Sequence, residues 1–168
     1  MTISMYQASV PPIVKCLHNL INILKKGAAH AETKKIDPSV LINSRLYPDM
    51  HPLSKQVQIA SDLTRRGVAR LAGVEAPAMA DDETTFPQLI DRLHNTIAYL
   101  ETITPAQIDG TEQKQISLPI GKHSIEFAGM PYLVSFILPN LYFHATTTYN
   151  ILRHSGVEVG KMDFLGKP

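Results

Sequence analysis

The sequence predicts an all-α protein, a four-helix bundle with one small β-hairpin set between its third and fourth helices. Apolar residues recur at three- and four-residue spacing along four stretches of about 20 residues, the period of a helix with one buried face. The connections between them are short, and a single stretch switches to a strand-like pattern. The 168 residues, 44% hydrophobic and 18% charged, have the size and composition of one globular domain, read here as residues 1–168.

The first helix is expected over residues 2–26, with Ile13, Val14, Leu17, Leu20, Ile21 and Leu24 as its stripe. Lys25 and Lys26 suit its last turn and Gly27 its stop, while Pro11-Pro12 marks either its start or a kink. Asp37-Pro38 opens a short helix through Arg45, and the cluster from Tyr47 to Pro52 forces a turn. The second long helix spans about residues 51–72, on Leu53, Val57, Ala60, Thr64, Val68 and Leu71, and ends at Gly73. Thr85 and Gln88 form a capping box for the third, whose stripe runs Leu89, Leu93, Ile97, Leu100, Ile103 and closes at Thr104-Pro105.

Residues 114–128 break the helical period. Ile116–Leu118 and Ser124–Phe127 read as two strands about a turn at Pro119-Ile120-Gly121. The last helix covers Pro131 to Ser155, with Leu133, Ile137, Leu141, His144, Thr148 and Ile151 on one seam and a kink at Pro139. The tail after Gly156 reads as extended or loop.

Composition narrows the function classes. Sixteen basic and fifteen acidic residues leave a net charge of +1, with no like-charged block beyond pairs such as Lys25-Lys26 and Arg65-Arg66. Nucleic acid is therefore not an expected partner. The lone Cys16 forms no internal disulfide and fits a reducing compartment as a small apolar residue on a helix. No leader-like stretch or membrane-length apolar run occurs, so a cytoplasmic protein with no membrane partner is expected. Nucleophile triads, Cys-x-x-Cys pairs, Walker loops and dinucleotide fingerprints are all missing.

Chemistry concentrates on the last helix. Asn140 and His144 stand four apart on an otherwise apolar face, and a buried polar group left unpaired costs about 1–3 kcal/mol. Facing partners exist: Gln56 within the stripe of the second helix, Gln58 nearer its edge in register with Asp62, and His18 beside Leu17 and Ile21 on the first. Three readings of His144 stay open: a core histidine satisfied by polar neighbours, a contact to a small-molecule ligand, or a ligand to a divalent metal such as zinc or nickel. Asparagine is a poor ligand for either metal. Among the other histidines His51 stands out, at the mouth of the second helix; His30, His94, His123 and His154 fall in loops, helix ends or polar faces. Tyr132, Phe136, Tyr142, Phe143 and Tyr149 crowd the last helix and suit core or dimer packing.

The segments RLYPDMHPLSKQVQIASDLTRRGVARLAG, DETTFPQL and PNLYFHATTTYNILRHSGVEVGKMDFLG resemble a bacterial domain-of-unknown-function family within the DinB/YfiT-like metalloenzyme superfamily. The resemblance covers nearly the whole chain. It implies an up-down-down-up bundle, often a homodimer, in which metal-binding members hold a divalent ion with one histidine on the second helix and a His-x-x-x-His pair on the fourth. Counted back from Leu152-Arg153 and Gly156, His144 matches the second histidine of that pair and Asn140 the first, while Gln56 or Gln58 stands at the second-helix position. The implied site is thus Gln56, Gln58, Asn140 and His144, with a metal centre degenerate or absent and a small ligand in an interior pocket. Two alternatives accompany it: a metal-dependent hydrolase or thiol S-transferase using His144 as ligand, and a non-catalytic structural or interaction protein.

Overall fold

The first helix runs further than its apolar stripe suggests. In the computed structural model, which describes residues 2–121 and 123–167, α1 spans Met5–Lys34. Ser4 caps it by accepting from the Gln7 N–H, and the Gln7 side chain returns to the Ser4 N–H. Pro11 and Pro12 lie inside the helix, and Gly27 does not stop it. A Cβ at Gly27 would stand 3.1 Å from both Phe86 and Leu152, so its glycine serves close packing against two other helices. The stop is Lys35, at φ 55°, whose N–H turns back to the Ala31 and Glu32 carbonyls.

Helix α2 is a single short piece, Pro38–Ile42, under an Asp37 side chain that accepts from the Ser39 N–H. It ends before Arg45, which instead bonds the Met50 carbonyl across the following turn. The Leu53 N–H then donates to Ser44 O, which fixes the mouth of α3, Leu53–Ala72. His51 precedes this helix. Helix α4, Phe86–Glu101, carries the expected Thr85–Gln88 box, and one further turn, α5, Pro105–Ile108, follows where only an ending was expected.

The strands are longer than their apolar runs. Strand β1, Gln115–Ile120, pairs antiparallel with β2, His123–Ala128, in the register Ile116↔Phe127, Leu118↔Ile125 and Pro119↔Ser124. Pro119 therefore sits in the ladder and not in the turn. Each strand of a two-stranded sheet has an open edge, where a missing N–H breaks no ladder bond. Gly121, at φ 59°, takes the left-handed turn conformation. Phe127 ties the hairpin to the helices, with ring centroids 5.6 Å from Tyr132 and 5.7 Å from Phe136.

The last long helix comes in three consecutive parts: α6, Gly129–Tyr132; a π-helical turn, Leu133–Ile137; and α7, Leu138–His154. The widened turn lies just before Pro139, which has no N–H to donate, at the place where the sequence predicts a kink. At this level α3 comes close, since a Cβ on Gly67 would lie 2.8 Å from Ile137. The tail folds into α8, Lys161–Leu165, held on α1 by Lys26–Asp163 at 2.7 Å and by Asn19 Nδ2 donating to Phe164 O at 3.0 Å.

The chain is thus mostly helical with one two-stranded antiparallel sheet. Helix α3 packs on α7 and α4, and α1 packs on α4 and α7. Leu17, Leu24, Leu53, Val68, Leu93 and Leu141 are wholly buried between them. Among the described residues no helix is long and apolar enough to cross a membrane.

Candidate functional site

The α3–α7 seam brings two of the four candidate residues together. Gln56 lies in the first turn of α3, between buried Leu53 and Val57, and is 2% exposed. His144 projects from α7 among buried Leu141, Ala145 and Thr148 and is itself half-buried. Its Nδ1 stands 2.7 Å from Gln56 Oε1. Gln56 Nε2 in turn donates to the His51 carbonyl at 3.1 Å, so the glutamine links α7 to the segment that opens α3. The Phe143 ring meets the imidazole edge-on, at 5.2 Å between centroids.

Burial holds the His144 pKa below the ordinary histidine value, and the charge of nearby His51 adds to the lowering. Among the described residues Nε2 of His144 has no hydrogen-bond partner, and it is not sealed from solvent.

The other candidates face elsewhere. Asn140 Nδ2 donates to Phe136 O at 2.7 Å, turning its amide back onto the π-helical turn of its own helix. Gln58 does not pair with Asp62 as its register suggests; its Nε2 donates to Glu83 at 2.9 Å. There it lines a surface cleft of about 460 Å³ with His51, Lys55, Asp81 and Asp82. His18 is exposed and faces away from the core, because one step along a helix from buried Leu17 rotates a side chain about 100°. Cys16 is buried, and that burial raises its thiol pKa to about 12.

A second polar cluster, on the α3–α4 seam, escapes the sequence reading. Arg92, 3% exposed, donates through Nε to Ser61 Oγ, through one terminal nitrogen to Ala80 O and Glu83, and through the other to Asp62 at 2.6 Å. That last nitrogen also stands 3.0 Å from Asp81. Buried Arg65 shares the same Asp62 oxygen, while its Nε has no partner among the described residues. Burial disfavours the Arg92 charge, but Glu83, Asp62 and Asp81 outweigh it and raise its pKa. Ser61 and Thr96 complete the cluster at 2.8 Å. A signal for it was present, since Arg92 and Thr96 fall four apart within the apolar stripe of α4.

The donor set does not fit a three-histidine metal centre. One imidazole remains, one carboxamide oxygen faces His144 Nδ1, and the other carboxamide is engaged on its own helix. Among the described residues no three His, Cys, Asp or Glu side chains gather where they could hold a metal ion.

Residues 5–165 match the family described as a domain of unknown function, DUF1993. The chain is also similar to a solved structure, a DinB family member protein from Shewanella denitrificans. The two share 44% identity over 97% of this chain and 92% of that one, with a TM-score of 0.92. No curated protein matches.

Proposed function

The chain belongs to the DUF1993 family, within the DinB-like superfamily, and we propose that it is a four-helix, DinB-type bundle that binds a small ligand at His144 without a resident metal. The observation that carries this reading is the asymmetry of one side chain. One ring nitrogen of His144 is anchored to Gln56, while the other has no partner among the described residues and is not sealed from solvent. Held through one nitrogen and half-buried, the ring can offer the other to water or to a small visiting group. The helix contacts, α1 and α3 each against both α4 and α7, support the bundle arrangement. Gln56 ties this histidine to the His51 carbonyl, and His51 itself rims the cleft at the mouth of α3. On the same last helix Val134, Tyr142 and Phe143 stay exposed, apolar surface that favours pairing with a second copy.

The test is a screen of small polar molecules by ligand-observed NMR, run on the wild type and on His144→Ala. Binders are expected to lose their signal in the variant, with zinc leaving the Tm of the wild type unchanged. Stoichiometric zinc or nickel in protein purified without chelators or a His-tag, lost in His144→Ala, would overturn the metal-free reading. A screen whose binders ignore the substitution would overturn the site.

A further inference from the structure

We infer that Gln56 is a positioning residue that fixes the tautomer of His144, with the proton on Nδ1, and that the site therefore takes groups presenting a hydrogen-bond donor, a hydroxyl or an amine. The chain of reasoning begins at a backbone carbonyl. His51 O is an acceptor and nothing else, so the carboxamide atom 3.1 Å from it must be the Gln56 NH₂. That sets which way the amide points. Reversed, it would hold two oxygens against each other, with no hydrogen between them.

With the NH₂ committed to His51, the oxygen of the same amide faces His144. An amide oxygen only accepts, so the group 2.7 Å away on the imidazole has to donate, and Nδ1 carries the hydrogen. A neutral imidazole has one N–H. Nε2 is then the bare nitrogen, with its lone pair in the ring plane, and it is the nitrogen left open and unpartnered among the described residues. A carboxylate or another acceptor-only group meets that lone pair unfavourably, and a hydroxyl or amine meets it well. The selectivity is thus written two residues away, in which atom of His51 the glutamine finds.

This rests on the small-ligand reading for the visiting group alone, because the tautomer is a property of the free protein and is measured without any ligand. The experiment is ¹⁵N NMR of the imidazoles in the full chain at about pH 9, where histidine is neutral, with His144 assigned by its loss in His144→Gln. In the wild type, Nδ1 of His144 is expected to resonate as a protonated nitrogen and Nε2 as an unprotonated one. Gln56→Glu loses the NH₂ on His51 O and its charge favours a protonated ring, but it still offers Nδ1 an acceptor and is expected to keep the Nδ1 proton, while Gln56→Leu mixes the two tautomers. A merely structural glutamine would change stability in both variants and the tautomer in neither. Protonated Nε2 in the wild type overturns the inference outright, whatever the variants do. An unchanged pattern in folded Gln56→Leu overturns the role of the glutamine. If the wild-type pattern holds while no small molecule binds, the tautomer stands and the ligand reading falls.

Discussion

Helix α3 carries a polar insertion on each of two seams, and the two are built on opposite plans. Toward α4, Arg92 uses every part of its guanidinium, on Ser61, Ala80 O, Glu83, Asp62 and Asp81. Toward α7, His144 uses one nitrogen of two. The first arrangement consumes its own bonding capacity and ties residues 80–83 onto the helices, so it has little left to offer a visitor. The second keeps a lone pair in reserve. A polar group in a core is therefore read by what it leaves unspent, more than by its being polar.

The sharpest way to break this contrast is to remove Arg92. Arg92→Met keeps the bulk and deletes the charge, leaving Glu83 and Asp62 short of their buried partner. Breaking a fully buried pair from one side costs about 3–5 kcal/mol, and with Asp62, Asp81 and Glu83 partly exposed the cost here is about 2–3 kcal/mol. Urea denaturation of Arg92→Met is expected to show a loss of that order, with His144 unaffected in its ¹⁵N pattern. A loss under about 1 kcal/mol would mean that Asp62 is adequately held by Arg65 and Arg66 alone, and the cluster would cease to be a structural anchor.

A double-mutant cycle then asks whether the two seams are independent. Gln56→Leu orphans the His144 N–H and the His51 carbonyl, an expected loss of about 1–3 kcal/mol. Among the described residues Gln56 and Arg92 share no hydrogen-bond partner, so Gln56→Leu and Arg92→Met should add within about 0.5 kcal/mol. Gln58 is the control, because it shares Glu83 with Arg92. Gln58→Leu combined with Arg92→Met should depart from additivity, by about 0.5 kcal/mol or more. Coupling in the Gln56 pair and none in the Gln58 pair would reverse the assignment of the two glutamines.

That reversal was open at the level of sequence. Spacing placed both glutamines on the second helix near the right position, and it placed Asn140 and His144 on one face. It carried no information on which amide would reach across to α7. Both side chains are buried, but Gln56 reaches His144 whereas Gln58 is turned toward Glu83 in the loop before α4. The helices themselves were legible from periodicity and from the caps at Asp37, Gly73 and Thr85. What periodicity misjudged were positions decided by neighbours far along the chain. Gly27 looks like a stop and is a contact with Phe86 and Leu152; the tail looks extended and is a helical turn pinned by Lys26 and Asn19. The spacing of Arg92 and Thr96 marks a polar pair in the α4 stripe, but the three carboxylate partners of Arg92 are hidden for the same reason, since they come from α3 and from a loop with no periodic pattern.

The smallest expected effect separates the seams by pH. Burial lowers the His144 pKa in the folded state, with the nearby His51 charge adding to it, so the unfolded chain, near the ordinary value of about 6.5, takes up its proton first. Between the two values the unfolded state binds more protons, and stability falls as pH drops; above about 6.5 both states are neutral and this contribution is complete. The α3–α4 seam responds in another window. Asp81, held below the usual carboxylate range chiefly by its bond to Lys55 and, after that, by the charges of Lys55 and Arg92, loses its contribution only as pH falls through that lowered value. Urea midpoints taken at about pH 7.5 and 5.5 should therefore drop further in the wild type than in His144→Leu, while Asp81→Asn should leave that difference intact. Equal drops in the wild type and His144→Leu would show that the imidazole titrates as if in water. The open nitrogen would then lie too far out for the half-buried position to keep it neutral, and a bare lone pair could not be what the site offers below about pH 6.5.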